Sequence, residues 1–441
     1  MKISRLALAA ALALAGAGLA GPVQSADLLS IYRDAMVSDP VYQSARAQYQ
    51  ASIEALPQAR SGYLPLVGFS ASVFHNDIDR QIADDLHYNT QSYVVTLSQP
   101  IFRLQNWIAI DQAKQQVIQA EANLASAQQD LATRVAQAYF DVLLAQDNVA
   151  LSQAQMNAIS EQLAQAKRNF EVGTATIVDT LDAQARYDQT SALTIANKND
   201  LEVKRRALTQ LVGKLPDSLV PLKEPLKPVA PEPNDIEAWV RAASESSFPV
   251  AVAKANLVIA DEEVRRQKAG HLPTLDLTAN VGRGVNPQTA VPNVIGSTSN
   301  TGTVGLQLAI PLYSGGLIQS RVRQALANRD RAQQDLENTE RTVAQSVRAN
   351  FLNVTSGIAQ VNALEQAVVS TQSQLDSTIL GRDVGVRTSV DVLNAQQQVY
   401  QTRRDLQQAR YNFLLNTLRL KSATGTLAEA DVERLNTTLG R

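Results

Sequence analysis

The sequence predicts a mainly α-helical protein with a small β part, built as two tandem halves. Three observations predict this fold class. In each half, apolar residues recur at steps of three and four over about sixty residues, the spacing of a long helix. Short segments alternate apolar and small polar residues, the period of a β-strand. Landmarks of the first half return in the same order in the second, which indicates an internal repeat.

The composition excludes several kinds of site. The 441 residues carry a net charge of -2 at pH 7, so no basic field attracts nucleic acid. Cysteine is absent, which excludes disulfides, thiolate metal sites and a cysteine nucleophile. The three histidines, His75, His87 and His271, lack the spacing of metal ligands. We therefore expect neither a metal nor a cofactor.

The N-terminal segment, residues 1–26, is predicted to be a secretory signal peptide. A short basic region precedes an uncharged run rich in Ala and Leu, followed by small residues. Cleavage fits after Ala20 or after Ala26, and a membrane anchor is the alternative interpretation. Beyond this segment no window holds about 18 consecutive apolar residues, so we expect any membrane crossing to use strands.

The repeat divides the rest of the chain into a first half, 27–213, and a second half, 235–425. Residues 214–234 between them contain six prolines, which predicts an extended linker because proline fixes φ and removes a hydrogen-bond donor. Residues 426–441 form a C-terminal tail. Paired landmarks include YLP at 63–65 with HLP at 271–273, and QPIF at 99–102 with IPLY at 310–313.

Each half contains one very long predicted helix. In the first half no Gly or Pro interrupts the pattern from Trp107 to Val172. The apolar residues follow the seam of a coiled coil, with one extra step of four from Leu131 to Val135 that the second half repeats. At ~1.5 Å per residue, sixty residues would make a rod of roughly 90 Å.

One turn is written twice, as VGTATIVDTLDAQ at 172–184 and as VGVRTSVDVLNAQ at 384–396. Its glycines fit the left-handed residue that ends a helix, and the Thr-x-x-Asp that follows matches a capping box that begins the next helix. We therefore expect each long helix to be followed by a return helix, at about 176–211 and 388–420.

Each half also contains two predicted strands of ~10 residues, with one apolar and one small polar face, a pattern typical of strands that cross a membrane. Prolines 65, 100, 273 and 311 mark the joints between strand and helix, and polar loops at 75–90 and 282–300 connect the pairs. Four strands are too few to close, and an unpaired sheet edge is not tolerated in lipid. Two copies would supply eight strands and three would supply twelve; the small polar face favours the wider, three-copy arrangement.

These features together resemble the TolC family of outer-membrane channel-tunnel proteins. The repeated turn, the QPIF and IPLYSGG joints, the tandem halves and the VDVLNAQ stretch carry the resemblance, which covers nearly the whole mature chain. It implies a homotrimer with a 12-stranded transmembrane β-barrel in outer-membrane lipid, continued by a long α-helical coiled-coil barrel in the periplasm of a Gram-negative bacterium. It also implies a passive exit duct that works with a periplasmic adaptor protein and an inner-membrane transporter, in type I protein secretion, multidrug efflux or both.

The resemblance further implies a constriction ringed by acidic residues and closed by polar links. Two ring positions fall on Asp391 and Asn394, so the second is neutral in this chain. The links fall on Asp179, with Arg382 where the family has tyrosine, and on Arg387, whose threonine partner is replaced by valine. We hypothesise that Arg382 pairs with Asp179 as an ion link.

The tips of the two turns match the segments that dock the adaptor in the family. These candidate docking residues are Val172, Gly173, Thr174, Val384, Gly385 and Val386. The alternative for the two glycines is a structural helix stop, and the alternative for Asp179 and Asp391 is a simple helix cap, a role that would also be compatible with an acidic ring.

Two other classes of function compete with a duct. A periplasmic coiled-coil adaptor or scaffold that forms no pore would have helical hairpins, but not two pairs of two-faced strands. A cell-wall enzyme would need a catalytic constellation, and the sequence offers no nucleophile–base pair, phosphate loop or carboxylate pair. We therefore expect a protein that is not an enzyme.

Overall fold

The computed structural model describes residues 26–79, 81, 85–214, 216, 218–288 and 295–440. Apart from Ala26, the predicted signal peptide lies outside this part of the chain. The helices are α1 Leu28–Ser38, α2 Pro40–Ile53, α3 Ala55–Ser61, α4 Leu104–Glu171, α5 Ile177–Val212, α6 Ile236–Ser246, α7 Phe248–Lys268, α8 Leu317–Asp383, α9 Ser389–Ala423 and α10 Glu429–Asn436. The strands are β1 Leu66–Ile78, β2 Leu86–Phe102, β3 Thr274–Gln288 and β4 Ile295–Ala309.

The predicted fold class is confirmed. Two helices of 68 and 67 residues, α4 and α8, are each followed by a shorter return helix, α5 and α9, and one four-stranded sheet completes the fold. Among the described helices, none is both long enough and apolar enough to cross a membrane.

The sheet is antiparallel throughout, in the order β1-β2-β3-β4. The two halves join at its centre, where β2 pairs with β3 and Ser98 lies opposite Thr278. Strands β1 and β4 are its outer strands, and the other edge of each is unpaired among the described residues. The sheet lies in a compact unit formed by residues 45–125 and 248–342.

The strands are longer than predicted. They have 13 to 17 residues and extend into the segments expected to be loops, so that His75 pairs with Asn89 and Arg283 with Asn300. The sequence predicts that each strand ends where its apolar residues end. The strands continue past this point through polar residues, because the hydrogen bonds between strands use only main-chain groups.

Proline 100 was predicted to mark a joint but lies inside β2, which continues to Phe102. The register between β2 and β3 shifts between these two residues. Proline cannot donate to the ladder, so a bulge accommodates it within the sheet. The other three prolines lie next to strand ends, as expected.

The second compact unit comprises the described residues within 26–44, 126–247 and 343–440. Its best-buried part surrounds Tyr139 and Phe140 on α4, whose rings lie 5.9 Å apart, with Tyr411 of α9 5.7 Å from Phe140. The Tyr139 hydroxyl donates to the carbonyl of Val220 at 2.7 Å, which fastens the linker to α4. Ala26 and Leu219 add a parallel bridge beside it.

Candidate functional site

The repeated turns adopt the same backbone conformation in both halves. Gly173 and Gly385 have φ of 78° and 79°, in the left-handed region that favours glycine. In each turn the glycine N–H and the next N–H donate back to carbonyls of the last helical turn, at 2.8 to 3.0 Å, which is the Schellman pattern. The predicted helix stop is thus the observed one.

All six candidate docking residues are exposed at these tips. The side chains of Val172, Val384 and Val386 are 73%, 66% and 76% exposed. Val384 and Val386 are two residues apart, so the second turn exposes two apolar side chains at one tip, and exposed apolar patches are common at interaction sites.

Asp179 and Asp391 begin the return helices through complete capping boxes. The Asp391 carboxylate accepts the N–H of Thr388 at 2.9 Å, and the Thr388 hydroxyl accepts the N–H of Asp391 at 3.1 Å. Asp179 and Thr176 repeat this exchange at 3.0 and 3.2 Å. The hydrogen bonds from Thr388, with a smaller contribution from the Arg387 charge, lower the pKa of Asp391.

Four of the site residues line one open groove between the end of α8 and the start of α9. Val386, Arg387, Asp391 and Asn394 share this groove with polar and small neighbours, namely Gln374, Ser377, Thr378, Gly381, Ala395 and Gln398. The groove contains one carboxylate and one guanidinium, so it can hold a cation and an anion side by side.

The single chain does not bring Arg382 to Asp179. The Arg382 guanidinium is bonded to Asp383, with its closest nitrogen 2.6 Å from the carboxylate, and Asp179 is occupied by its cap. The pairing of Arg382 with Asp179 therefore stays a prediction, now one that concerns contacts between neighbouring copies. Arg387 forms no salt bridge among the described residues, which leaves its guanidinium available to another chain.

Sequence reasoning missed Arg186 on α5. Its guanidinium donates to the side-chain oxygen of Asn394 at 2.9 Å and to that of Gln397 at 2.7 Å, both on α9. Asn394, the predicted neutral ring position, is thus bonded to a cation from the first half. The signal was available in the spacing, since Arg186 follows Asp179 by seven residues, two turns along one helix face.

Apolar contacts hold the tip helices in place behind these polar groups. Leu393 of α9 packs on Ile159, Leu163 and Ala183 from the first half. On the other side of α9, Val392, Ala395 and Val399 pack on Leu375 of α8. Helix α9 therefore packs on α8 of its own hairpin and on α4 and α5 of the first hairpin.

The apolar face of the sheet is a second candidate surface. Its outer strands expose large apolar residues, including Val67, Phe69 and Val73 on β1 and Val304, Leu306 and Leu308 on β4. The residues between them are small or polar, such as Ser70 and Ser72. A monomer in water rarely exposes such a patch, and lipid is the environment that favours it.

The chain matches the family model described as outer membrane efflux protein over residues 31–214 and 239–426. It is 34% identical over 418 residues to the outer membrane protein TolC of Vibrio cholerae, with 95% of each chain covered. It is 30% identical over 451 residues to the proteases secretion protein PrtF of Dickeya chrysanthemi, covering 99% of this chain and 95% of that protein. The crystal structure of the CmeC outer membrane channel of Campylobacter jejuni has a similar fold, with a TM-score of 0.79 at 16% identity over 95% of this chain and 91% of that chain.

Proposed function

The chain belongs to the outer membrane efflux protein family, and we propose that three copies of it form a passive exit duct through the outer membrane. The protein is an outer-membrane channel that extends into the periplasm. Its cargo arrives from an inner-membrane transporter through a periplasmic adaptor. The cargo class is a drug-like solute or a secreted polypeptide, in keeping with relatives named for efflux and for protease secretion.

The proposal rests on a four-stranded sheet whose two outer edges are unpaired among the described residues. Strands β1 and β4 each pair on one side only among the described residues, and both expose apolar side chains. In lipid, every unpaired backbone group costs several kcal/mol, so the free edges must find partners. Identical copies supply them, because β4 of one chain can pair with β1 of the next.

Three copies fit the small polar face of the strands, which would line the inside of the barrel. Twelve strands enclose a wider space than eight, and eight-stranded sheets that close leave an interior filled by side chains. Here the inner positions of β1 are Gly68, Ser70 and Ser72, which are too small to fill such an interior. They suit a water-filled lumen.

At the periplasmic tips, threefold repetition would bring the groove residues together as rings. Asp391 and Asp179 would supply carboxylates, and Asn394 would supply a neutral position held by Arg186. Arg387, unpaired among the described residues, would link neighbouring copies, and the pairing of Arg382 with Asp179 belongs to the same closed state. Rings of carboxylates favour cations.

The exposed valines of the two turns, with Gly173, Thr174 and Gly385, form the docking surface for the adaptor. This function needs no chemistry at the tip, and the members of the family are channel proteins. The duct accordingly acts without catalysis, and the scaffold alternative is disfavoured because the similarity to outer-membrane channels includes the strands.

The test uses two neighbouring substitutions on β4. Leu306 is 69% exposed on the apolar face, so L306K places a charge in lipid, which disfavours insertion by ~2–4 kcal/mol near the bilayer centre. Q307K places the same charge on the small polar face. We expect the wild type and Q307K to conduct in planar bilayers and to remain in the outer-membrane fraction, while L306K is lost from both. Absence of conductance in the wild type, or equal behaviour of the two variants, would overturn the proposal.

A further inference from the structure

Gly381, two residues before the end of α8, lies directly under the side chain of Arg387. A Cβ atom added to Gly381 would lie 2.8 Å from Cγ of Arg387 and 3.4 Å from its Cβ. Non-bonded carbon atoms prefer separations of about 3.5–4.0 Å. Because the conflict involves the stem of the arginine and not its flexible end, no side chain fits at 381 while Arg387 keeps its position.

The backbone of the turn does not itself require this glycine. The carbonyl of Gly381 accepts the N–H groups of Val386 and Arg387 at 2.8 and 3.1 Å. In the first half the carbonyl of Asn169 accepts two N–H groups in the same way, at 2.8 and 3.2 Å. An asparagine therefore supports the same turn, and Gly381 is also not among the glycines with positive φ.

The two halves differ instead in which of two positions of the turn carries the larger side chain. Position 169 corresponds to 381, and position 175 corresponds to 387. The first half has a long side chain at the first position, Asn169, and a methyl group at the second, Ala175. The second half has no side chain at the first position, Gly381, and a long one at the second, Arg387. A glycine inside a helix is unfavourable relative to alanine. The long side chain at 387 is the feature that accounts for it.

The arginine stem leads into the groove that contains Asp391 and Asn394. There the guanidinium contributes to the lowered pKa of Asp391 and forms no salt bridge among the described residues. Its position therefore depends on how the stem is seated and not on a bonded carboxylate.

We infer that Gly381 is a positioning residue for the gate: the gap above its Cα seats the stem of Arg387 and keeps the guanidinium beside Asp391. This inference rests on the proposed function, since it gives the positioned cation a task at the constriction. A side chain at 381 displaces Arg387 and removes that cation from the ring without altering any charged residue.

The test is a double-mutant cycle with G381A, R387A and G381A/R387A, measured as single-channel conductance and cation selectivity in planar bilayers. G381A should reproduce the change produced by R387A, and adding G381A to R387A should change nothing further. The matched control is G357A on the same helix, where an added Cβ meets Phe413 at 3.7 Å, an ordinary contact; it should behave like the wild type.

Each other outcome is also decisive. If G381A conducts like the wild type, or shifts conductance equally in both backgrounds, the glycine does not act through Arg387 and the inference fails. If G381A does not assemble, assembly of G381A/R387A would support the steric conflict, and failure of both would contradict it. Absence of conductance in the wild type would instead count against the duct, so the two failures are distinguishable.

Discussion

Asp391 has two tasks that a single substitution can separate. Its carboxylate closes a capping box with Thr388, and it is also the one carboxylate of the groove at the start of α9. Asparagine keeps an acceptor oxygen for the Thr388 N–H but carries no charge, whereas alanine has neither. We expect the cap to affect folding and the charge to affect permeation, so two different measurements separate these tasks.

We expect D391N to assemble and melt like the wild type but to lose most of its preference for cations. D391A should lose that preference and also melt at a lower temperature, because the N–H of the cap residue Thr388 is left without its acceptor. Thermal melting in detergent and reversal potentials in planar bilayers measure the two effects. A D391N channel that remains as cation-selective as the wild type would remove Asp391 from the constriction.

The lowered pKa of Asp391 adds a dependence on pH. A carboxyl whose pKa is lower in the folded protein stays charged until the pH falls below the ordinary range for aspartate. We therefore expect cation preference to persist as the pH falls through that ordinary range and to disappear only below it. T388A keeps the backbone N–H of Thr388, the larger cause, but removes the hydroxyl, so it should move the loss of selectivity part of the way to higher pH; an unchanged profile would contradict this explanation.

Asp147 on α4 is a partly buried carboxyl whose pKa shifts in the opposite direction. Burial raises its pKa, although the Tyr411 hydroxyl donates to it at 2.7 Å, and Glu224 opposes its ionisation while Arg410 favours it. A pKa raised on folding stabilises the protein below the ordinary carboxyl pKa, and this stabilisation is lost as the pH rises through the folded value.

The wild-type melting temperature should therefore fall as the pH rises above the ordinary carboxyl range. D147N, which keeps an acceptor for Tyr411 and cannot ionise, should flatten this dependence. D147A should instead be less stable by about 1–3 kcal/mol at all pH values, because it leaves the buried Tyr411 hydroxyl unpaired. A steep acid-to-neutral decline that survives in D147N would show that other groups cause it.

At the scale of elements, the helices were more predictable than the strands. The 3–4 spacing and the capping boxes place both long helices and both return helices within a few residues of their observed ends, because those signals are local. Strand ends were missed at His75 and Asn300 because polar residues pair there through the backbone. The spacing from Asp179 places Arg186 on the same face of α5, but no local pattern shows that its partner is Asn394, which lies far away in the chain.

The Arg186 contact predicts a looser junction of α5 and α9 when it is removed. Its two hydrogen bonds join exposed side chains, so R186A should reduce stability by only about 0.5 kcal/mol, the range of exposed charged contacts. Conductance should nevertheless rise, because this contact links the two helices beside the proposed constriction. The control is R206A, whose guanidinium pairs with Glu202 on its own helix; a rise of equal size in R206A would show a non-specific effect.

The internal repeat also predicts how two copies pair. Within the chain, Thr96 of β2 lies opposite Asn280 of β3. We expect β4 of one copy to pair with β1 of the next copy in the way that β2 pairs with β3 within the chain. The residues that correspond to Thr96 and Asn280 are then Gln307 of β4 and Ser72 of β1. Because the chain contains no cysteine, S72C/Q307C provides a clean cross-linking pair.

Oxidised S72C/Q307C should migrate as covalent oligomers on denaturing gels, and reduction should return the monomer. S72C/T303C is the control, since it moves the second cysteine four residues along the same face of β4 and out of reach. Efficient cross-linking in the control and not in the first pair would show that copies join in another register.

At the scale of the whole molecule, the two halves have similar folds but different residues at the tips. The first half offers Asp179, Arg186 and a turn with Ala175, and the second offers Asp391, Asn394 and Arg387. Duplication thus supplies the matching turns and strand pairs, and divergence at a few positions supplies the asymmetric contacts of the proposed constriction. The sequence predicts the repeat, whereas the partner of each charged group depends on contacts between halves and between copies.

We propose that copies of this chain complete each other's sheet. Native mass spectrometry of the detergent-solubilised wild type, with L306K and Q307K measured beside it, tests this proposal by counting the chains in each complex. We predict a complex of three chains for the wild type and for Q307K. A wild type that is stably monomeric while its strands remain folded would contradict it.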